Sequence, residues 1–471
     1  MKKKLILVFA VIALVAVLTS CLVACNKGFK WHSVGGGDAA AAVVSNGGYA
    51  VKQGDYLYFV NGYVGLDENN DFGTPVKQSI VRVKLVNGVP DNSTAVVVVP
   101  KSIYNTSSKG GFAIYGEWIY YVTPNYDRDK NDNKSTVNSD FMRTKIDGSA
   151  TQKIATISTR GADYFFAPTR VWYYTNNVLS YVDFSGMKSS GDVTDGKGAK
   201  KGSVDATISS VVWNYSLDRI FFTRNNKDEN ATLTYNELCS IKVDGSEEKV
   251  LATVDTYLGE GEEKNQRKAY TFALIDVYAE ADGSATLYYT KSYTISEATN
   301  EGLYENKVAD VFPTNEKHLT TNAPSSLYPL GYADGALAYN SASVYCWYNG
   351  EKDANGNFVD PLVVTDVKDS TKTIWFVRDG YAYYTASSSA TTLFKIAYKE
   401  AANTAIVIDE GIKVDWLKVD VVEDNFYFFA TSDNNYVHYI NYLTFDKDAE
   451  DAKSTMIGIY LDSEKPEEDE E

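Results

Sequence analysis

The chain has 471 residues, with 45 basic and 62 acidic side chains and a formal net charge of −17. Hydrophobic residues make up 44% of it and charged residues 23%, which is typical of a globular protein and excludes a disordered chain. The acidic balance argues against a nucleic-acid partner, because phosphate binding needs clustered Lys and Arg. The only three histidines, His32, His318 and His438, are scattered along the sequence, which argues against a multi-histidine zinc site.

The N-terminus predicts export. Lys2, Lys3 and Lys4 form a positive segment, and an apolar run from Leu5 to Leu18 follows it. That run has the length of the hydrophobic part of a signal peptide and is short for a membrane-spanning helix.

Two tetrapeptides that end in cysteine follow this run, Leu18–Cys21 and Leu22–Cys25. Both resemble the bacterial lipobox, and the resemblance implies that the cysteine thiol receives a diacylglycerol and becomes the first residue after cleavage. We favour Cys25, because polar residues follow it at once, with Cys21 as the alternative. An ordinary secretory signal and an uncleaved anchor are the other interpretations. Lipidation predicts attachment to the outer face of the bacterial cytoplasmic membrane or to the cell surface.

One aromatic strand pattern then recurs eight times, at intervals of 44 to 67 residues. Tyrosine is unusually abundant, with 36 copies against 20 Phe and 7 Trp, and it favours pleated, half-buried surfaces. Repeats of this length are typical of propellers and solenoids. The aromatic anchors of the eight copies are Tyr58, Tyr120, Tyr173, Phe221, Tyr288, Tyr339, Tyr383 and Phe428.

Each copy belongs to a longer unit of short strands. In the second unit, Phe141–Ile146 and Gln152–Ile157 flank an Asp-Gly-Ser turn at 147–149, and the fourth unit repeats the pattern with Leu238–Val243 and a turn at 244–246. Asp-Gly between alternating strands is a strong hairpin signal, because the turn needs positive φ. The sequence therefore predicts an all-β fold, a single β-propeller of about eight four-stranded blades.

These units resemble the repeats of bacterial extracytoplasmic β-propeller lipoproteins of the domain-of-unknown-function type, which carry Leu-Tyr-Tyr and Asp-Gly-Ser motifs. Such repeats are related to Tol-type propellers and to propellers with a Tyr-Trp-Thr-Asp signature. The resemblance covers roughly residues 48–461. It implies a propeller fold and export but no activity, since propellers carry many unrelated functions.

The chain is thus divided into four predicted parts. Residues 1–24 are the lipoprotein signal peptide, and 25–47 are the lipidated N-terminus and a Gly- and Ala-rich flexible tether. Residues 48–461 form the propeller, and the acidic residues 462–471 form a disordered tail.

Catalytic motifs are sparse. The sequence contains no Gly-x-Ser-x-Gly elbow, no Gly-rich loop ending in Gly-Lys-Ser/Thr and no Cys-x-x-Cys pair. Carboxylates are abundant, and a glycosidase pair is not visible in a linear reading. We interpret the chain as a binding protein rather than an enzyme, with no cofactor.

A calcium site is the one metal hypothesis. Asp67, Asn69 and Asp71 place oxygen ligands at alternate positions, as loops that wrap Ca²⁺ do. Similar loops occur at 127–131 and 353–357, but all three lack the terminal Glu of an EF-hand. Since Asp and Asn also form ordinary turns, we favour turns and expect calcium chelation to leave the melting temperature unchanged.

Long polar connections indicate where a ligand is bound. The segments 61–78, 123–139, 224–236 and 291–302 join second to third strands and are expected to share one face of the propeller. The favoured function is a membrane-anchored extracytoplasmic binding or scaffold propeller whose long-loop face contacts an unknown protein or glycan. A structural or assembly factor for envelope proteins and a glycan-acting hydrolase or lyase are the alternatives.

Two cysteines remain outside the signal. Cys239 and Cys346 belong to the third strands of the fourth and sixth units, a quarter turn apart in an eight-bladed ring. That separation exceeds the Cα distance of about 7 Å that a disulfide allows. We therefore predict two buried thiols.

The lipobox makes a direct prediction about the mature N-terminus. The protein isolated from membranes is expected to partition into detergent and to begin at a lipidated Cys25 or, alternatively, Cys21. Mass spectrometry of the N-terminal peptide identifies the modified residue, and single Cys→Ser variants assign it. An unmodified N-terminus on freely secreted protein would show that the lipobox interpretation is wrong.

Overall fold

The computed structural model describes 25 segments of the chain and contains only strands, turns and bends in them. Among these residues, no helix is long and apolar enough to cross a membrane. The described residues are 33–41, 47–62, 77–103, 111–125, 138–158, 162–188, 198–225, 236–252, 255–257, 267–280, 282–294, 298–308, 316–321, 332–333, 336–341, 344–348, 352–357, 362–363, 373–378, 381–385, 393–397, 406–409, 414–430, 436–441 and 454–460.

The first four sheets each contain four consecutive antiparallel strands. Sheet 1 contains β1 (Ala50–Gln53), β2 (Tyr56–Val60), β3 (Ile80–Val86) and β4 (Val89–Val99). Sheet 2 contains β5 (Phe112–Tyr115), β6 (Trp118–Pro124), β7 (Ser139–Lys145) and β8 (Thr151–Ile157). Sheet 3 contains β9 (Asp163–Phe166), β10 (Arg170–Thr175), β11 (Val178–Asp183) and β12 (Lys200–Ser203). Sheet 4 contains β13 (Ile208–Trp213), β14 (Arg219–Asn225), β15 (Asn236–Lys242) and β16 (Lys249–Ala252).

The remaining sheets follow the same order, and the fifth has an additional first strand. Sheet 5 contains β17 (Asp255–Tyr257), β18 (Arg267–Ala279), β19 (Ala285–Thr294), β20 (Ala298–Val308) and β21 (Glu316–Thr320). Sheet 6 contains β22 (Tyr332–Ala333), β23 (Ala336–Ser341), β24 (Val344–Tyr348) and β25 (Leu362–Val363). Sheet 7 contains β26 (Thr373–Arg378), β27 (Tyr381–Thr385), β28 (Leu393–Ala397) and β29 (Ile406–Asp409). Sheet 8 contains β30 (Val414–Val422), β31 (Asn425–Ala430), β32 (Tyr436–Asn441) and β33 (Thr455–Ile457).

Each aromatic anchor of the repeat lies in a different sheet. Seven of them occupy the second strand, and Tyr288 occupies the third because β17 precedes β18 in its sheet. This order of consecutive antiparallel sheets confirms the predicted all-β, propeller-like fold. The number of blades around one axis stays a prediction.

Sheets 1 to 4 bury apolar residues on both faces, which explains why they pack side by side with their neighbours. All seven residues of β6 and all six of β31 are buried, although neighbouring side chains of a strand point to opposite faces. One hydrophobic cluster joins sheets 8, 1 and 2, a second joins sheets 2 and 3, a third joins sheets 3 and 4, and a fourth joins sheets 4 and 5. Four of the aromatic anchors, Tyr58, Tyr120, Tyr173 and Phe221, belong to these contacts between sheets.

Sheet 5 corrects one expectation about the loops. The segment 291–302 was expected to be a polar connection, but β19 continues to Thr294 and β20 begins at Ala298. The register pairs Thr294 with Ala298, so this segment is a long hairpin. Tyr293 and Thr294 are residue types that favour strands, but the polar Lys291 and Ser292 made this segment look like a loop in the sequence.

The first and last sheets contact each other. On β30, Asp420 Oδ2 accepts hydrogen bonds from the backbone N–H groups of Tyr49 and Ala50, the latter at 2.8 Å. At another point, Asn61 donates to the carbonyl of Ile459 at 2.8 Å and accepts from its N–H at 3.1 Å. These contacts join residues more than 360 positions apart, and they are what a ring of consecutive sheets needs in order to close.

The two cysteines lie on the strands that the repeat predicts. Cys239 lies on β15 and Cys346 on β24, the third strands of sheets 4 and 6. Cys239 is fully buried in the cluster between sheets 3 and 4 and is a thiol. The absence of a disulfide between Cys239 and Cys346 stays a prediction. Alkylation of the denatured, unreduced protein followed by intact-mass analysis tests it.

The contact made by Asp420 predicts a pH dependence of stability. Loss of water around the carboxylate raises the pKa of Asp420 to about 6, although the two N–H donors act in the opposite direction. An unfolded aspartate titrates near 4, so between about pH 4 and 6 the folded state binds more protons than the unfolded state. The free energy of unfolding should therefore fall as pH rises through that window, by on the order of 2 kcal/mol from this group.

Urea denaturation of wild type and Asp420→Asn at several pH values measures this contribution. The difference in unfolding free energy between the two proteins should change between pH 4 and 6 and be constant above pH 7. Asp205→Asn, at an exposed position, is the matched control. A change of the opposite sign would mean that the N–H donors of Tyr49 and Ala50 outweigh desolvation.

Candidate functional site

Successive strands reverse direction, so each sheet presents two kinds of connection at opposite edges. First-to-second and third-to-fourth turns share one face, which we name the turn face, and it includes Gly54, Gly116 and the turns at 147–149 and 244–246. The long-loop face carries the second-to-third connections. On the turn face, a groove lies between each pair of neighbouring sheets. Four of these grooves, those between sheets 1 and 2, 2 and 3, 3 and 4, and 4 and 5, are described well enough to compare.

The groove between sheets 1 and 2 is filled by the N-terminal segment of the chain itself. Val34 packs against the hydrophobic cluster there, and its N–H donates to the carbonyl of Asp147 at 2.8 Å. Arg82 Nη2 donates to the carbonyl of Gly35 at 2.7 Å, and the guanidinium lies 4.6 Å from the centre of the Tyr56 ring. Residues 33–41 lie within the predicted tether, so this part of it is bound to the sheets.

The groove between sheets 2 and 3 is filled in a similar way by residues 184–188, which follow β11. Arg143 Nη2 donates to the carbonyl of Lys188 at 3.1 Å, and its guanidinium lies 4.4 Å from the Trp118 ring. Met187, just before that carbonyl, is buried in the cluster of these two sheets. Arg143 stands opposite the anchor Tyr120 in the strand register, just as Arg82 stands opposite Tyr58.

The groove between sheets 3 and 4 is filled by side chains. Trp172 Nε1 donates to the carbonyl of Val243 at 2.8 Å, just before the turn at 244–246. Arg170 lies over the Tyr181 ring at 4.1 Å and contacts Gly245, whose φ of +85° and lack of a side chain leave room for the guanidinium.

The groove between sheets 4 and 5 is an open cleft of about 330 Å³. In the register of sheet 4, Ser240 stands opposite the anchor Phe221, at the position that Arg82 and Arg143 occupy in their sheets. Ser180 takes the same position in sheet 3, opposite the anchor Tyr173, but there Trp172 and Arg170 fill the groove. Beside Ser240, no described side chain or segment does so, and the space is open. Buried apolar residues form its floor, and charged residues surround them. The lining residues of the floor are Leu217, Phe221, Leu251, Ala285 and Val308, and those of the rim are Asp218, Arg219, Lys242, Glu247 and Lys249.

The rim is held by hydrogen bonds and ion pairs. Arg219 Nε donates to Ser240 Oγ at 3.0 Å, and Arg219 Nη2 donates to the carbonyl of Glu247. Burial lowers the pKa of Arg219 below its ordinary value, but a guanidinium stays charged at neutral pH. The Glu247 carboxylate pairs with Lys242, and their hydrogen bond raises the pKa of Lys242 and lowers that of Glu247. The cleft thus presents a fixed cation above an apolar floor.

The site residues predicted from sequence lie elsewhere. Cys21, Cys25, Asp67, Asn69 and Asp71 are outside the described residues, as is the loop at 127–131. Their lipid-binding and calcium-binding roles stay predictions. Among the part of the chain that the structure describes, no group of three or more His, Cys, Asp or Glu side chains could hold a metal ion.

The third calcium-like loop is described and is an ordinary turn. Asp353 Oδ1 accepts the backbone N–H groups of Asn355 and Asn357, each at 2.9 Å. These bonds to Asn357 and Asn355 lower the pKa of Asp353, in spite of some desolvation. A carboxylate used in this way forms an Asx turn, which is the structure favoured for these loops.

Sequence reasoning missed the cleft, although a signal was present. The repeat aligns Phe141–Ile146 with Leu238–Val243, so Arg143 in one unit corresponds to Ser240 in the other. Without the structure, this substitution looks like ordinary variation between repeats.

No family model matches this sequence, and no curated protein matches it. Among solved structures, puromycin hydrolase is 11% identical, with a TM-score of 0.36 over 76% of this chain and 54% of that chain. A prolyl endopeptidase is 11% identical, with a TM-score of 0.40 over 88% of this chain and 48% of that one. The uncharacterized protein lmo1340 from Listeria monocytogenes EGD-e is 11% identical, with a TM-score of 0.33 over 75% of this chain and 93% of that protein. The chain spans about half the length of the two enzymes, and likeness this weak assigns no function.

Because the groove between sheets 1 and 2 is filled and the cleft is open, substitution of Arg82 should destabilise the protein more than substitution of Arg219. Arg82→Met should lower the free energy of unfolding by about 2 kcal/mol, because buried carbonyl groups lose a charged donor. Arg219→Met in the open cleft should cost less, because Glu247, which pairs with Arg219, is exposed to water. Urea denaturation measures both values, and hydrogen exchange of the Val34 amide should accelerate only in Arg82→Met. Equal losses and unchanged exchange would contradict the assignment of residues 33–41 to this groove.

Proposed function

We propose that this chain is a lipid-anchored, extracytoplasmic binding protein, with its ligand held in the cleft between sheets 4 and 5. One observation carries the proposal. Of the four described grooves between neighbouring sheets, the first three are filled by the chain itself, and the groove between sheets 4 and 5 is open. Its volume of about 330 Å³ lies at the lower end of the range of small-ligand pockets. An apolar floor with a few fixed polar groups is also the usual composition of such sites.

The charge of the cleft supports a binding role. The whole chain carries −17, yet Arg219, Lys242 and Lys249 stand together at this rim with Asp218 and Glu247. Cationic groups that are nearly balanced by carboxylates favour a polar, weakly anionic group on the ligand over a polyanion. The acidic remainder of the surface discourages nonspecific attachment to anionic headgroups.

The proposed lipid anchor would place the cleft near the membrane. Ser33 is eight residues beyond Cys25, a span of at most about 29 Å when fully extended. Val34 is bound at the turn face, so a lipid on Cys25 holds the turn face close to the membrane. The cleft opens on that same face, and its ligand would be met near the membrane surface.

The long-loop face stays a second candidate surface. Most of its connections, including 63–76, 126–137 and 226–235, are outside the described residues, and its role as a binding face stays a prediction from sequence. Within the part of the chain that is described, no observation favours an assembly factor or a glycan-acting hydrolase or lyase over a binding protein.

A photoreactive amino acid in the cleft tests the proposal for ligands of any class. We expect p-benzoylphenylalanine at position 249, activated in intact cells, to give a discrete adduct in the intact mass of the purified protein. The matched control at position 87, an exposed turn residue on the same face, should give none.

A second variant in the same experiment can disprove the proposal. Ala285→Trp places a large side chain in the floor of the cleft and should abolish the adduct at 249. Absence of any adduct, or an adduct that is unaffected by Ala285→Trp, would show that the cleft is not the binding site.

A further inference from the structure

We propose that the ligand of the cleft between sheets 4 and 5 is a short segment of another polypeptide, with an apolar residue on the floor and the next backbone carbonyl accepting from Arg219. The inference rests on the proposed function and names its ligand class. It is based on two comparable grooves of the same molecule, each of which already holds a segment of the chain in this way, one through consecutive glycines at positive φ and the other in a turn.

The first internal example is the segment Val34–Gly37 in the groove between sheets 1 and 2. The apolar side chain of Val34 packs on the floor, and the carbonyl of the next residue, Gly35, accepts from Arg82 at 2.7 Å. The backbone itself fills the groove: a Cβ on Gly36 would lie 2.9 Å from Tyr56 Oη, and one on Gly37 would lie 3.0 Å from Ile146 Cδ1. The groove therefore recognises main chain at close range.

The second example comes from an unrelated part of the chain. In the groove between sheets 2 and 3, Met187 is buried on the floor, and the carbonyl of the next residue, Lys188, accepts from Arg143 at 3.1 Å. Gln152 Nε2 donates to the same carbonyl at 3.2 Å. The two occupants have no sequence in common, yet both present an apolar residue followed by a carbonyl to an arginine. The recognition is thus a property of the groove.

The open cleft repeats these elements with one change of position. Its arginine, Arg219, begins the second strand of sheet 4, whereas Arg82 and Arg143 lie on the third strands of their sheets. Ser240 takes the place of the missing arginine and holds Arg219 Nε at 3.0 Å. The floor of Leu217, Ala285 and Val308 is apolar and empty of chain. Nη2 of Arg219 already donates to the carbonyl of Glu247, whereas Nη1 lies 3.7 Å from the Glu247 carboxylate, beyond hydrogen-bond distance. The cleft therefore has Nη1 as a donor for a ligand carbonyl and a surface for an apolar side chain.

The composition of the lining favours polypeptide over other classes of ligand. Sugars usually stack on exposed aromatic rings, but Phe221 is the single aromatic residue among those that line the cleft, and it is buried. A polyanion would meet Asp218 and Glu247 beside the three cations. A peptide needs few charges, because hydrogen bonds to its main chain supply affinity and pockets for its side chains supply specificity.

A phage-displayed library of random heptapeptides, panned on the full-length protein in detergent, tests the proposal. Enriched sequences should share an apolar residue at one fixed position. One synthetic peptide from this set then serves as the probe in isothermal titration calorimetry. Ala285→Trp should abolish its binding, and Arg219→Gln should weaken it at least tenfold, since a charged donor to the carbonyl is lost.

The matched control is Arg170→Gln, which changes the corresponding first residue of the second strand in sheet 3, where the groove is filled. It should leave the dissociation constant unchanged, and circular dichroism with thermal melting verifies that all three variants are folded. No enrichment, or binding that Ala285→Trp and Arg219→Gln do not affect, would overturn the proposal.

The outcomes separate the ligand class from the binding role. A photo-crosslinked adduct at position 249 with the mass of a glycan or lipid, without peptide binding, would overturn the peptide inference and leave the binding function standing. Loss of both the adduct and peptide binding would overturn both. Enrichment of a sequence from this chain, with a shift to dimer in analytical ultracentrifugation, would replace a foreign partner with a second copy.

Discussion

Burial of both sheet faces is the constraint on which the described part of this structure depends. A four-stranded sheet with apolar residues on both sides is unstable alone, and here hydrophobic clusters with the neighbouring sheets cover both faces of sheets 1 to 4. Hydrogen bonds then fix the alignment of neighbours. Tyr58 and Trp172 both donate from a second strand to a carbonyl just before an Asp-Gly-Ser turn in the following sheet, at 3.3 and 2.8 Å. The repeat is therefore a repeat of contacts between sheets as much as of strands.

The same contacts create the grooves of the turn face and make one of them exceptional. A groove next to a long side chain such as Arg82 or Arg143 is bridged, and the chain supplies a segment that satisfies the guanidinium. Where Ser240 replaces the arginine, no described segment fills the space. Sheet 3 also has a serine, Ser180, at this position, but Trp172 and Arg170 fill its groove. A binding site can thus arise in a repetitive fold where the arginine is lost and no other group replaces it, because the surrounding sheets keep the groove rigid.

The closure between first and last sheets uses a different chemistry. Its contacts are polar, and they include a carboxylate that receives two backbone N–H groups and the reciprocal pair of Asn61 and Ile459. An apolar cluster that includes Val51, Tyr427 and Phe429 surrounds them. Directional bonds at this interface suit its role, because apolar contacts alone tolerate small shifts between two sheets, whereas hydrogen bonds require one register.

The linear sequence by itself determined the repeated unit: the aromatic strands, the hairpins with Gly148 and Gly245 at positive φ, and the acidic charge. These properties depend on residues that are close together in the chain, so local pattern is enough to predict them. Only the tertiary structure decided that Asp420 meets Tyr49, that residues 33–41 fill one groove, and that the groove beside Ser240 is open. Those features depend on side chains that lie far apart in sequence, and the position of a side chain relative to another sheet is set by packing, which local pattern does not encode.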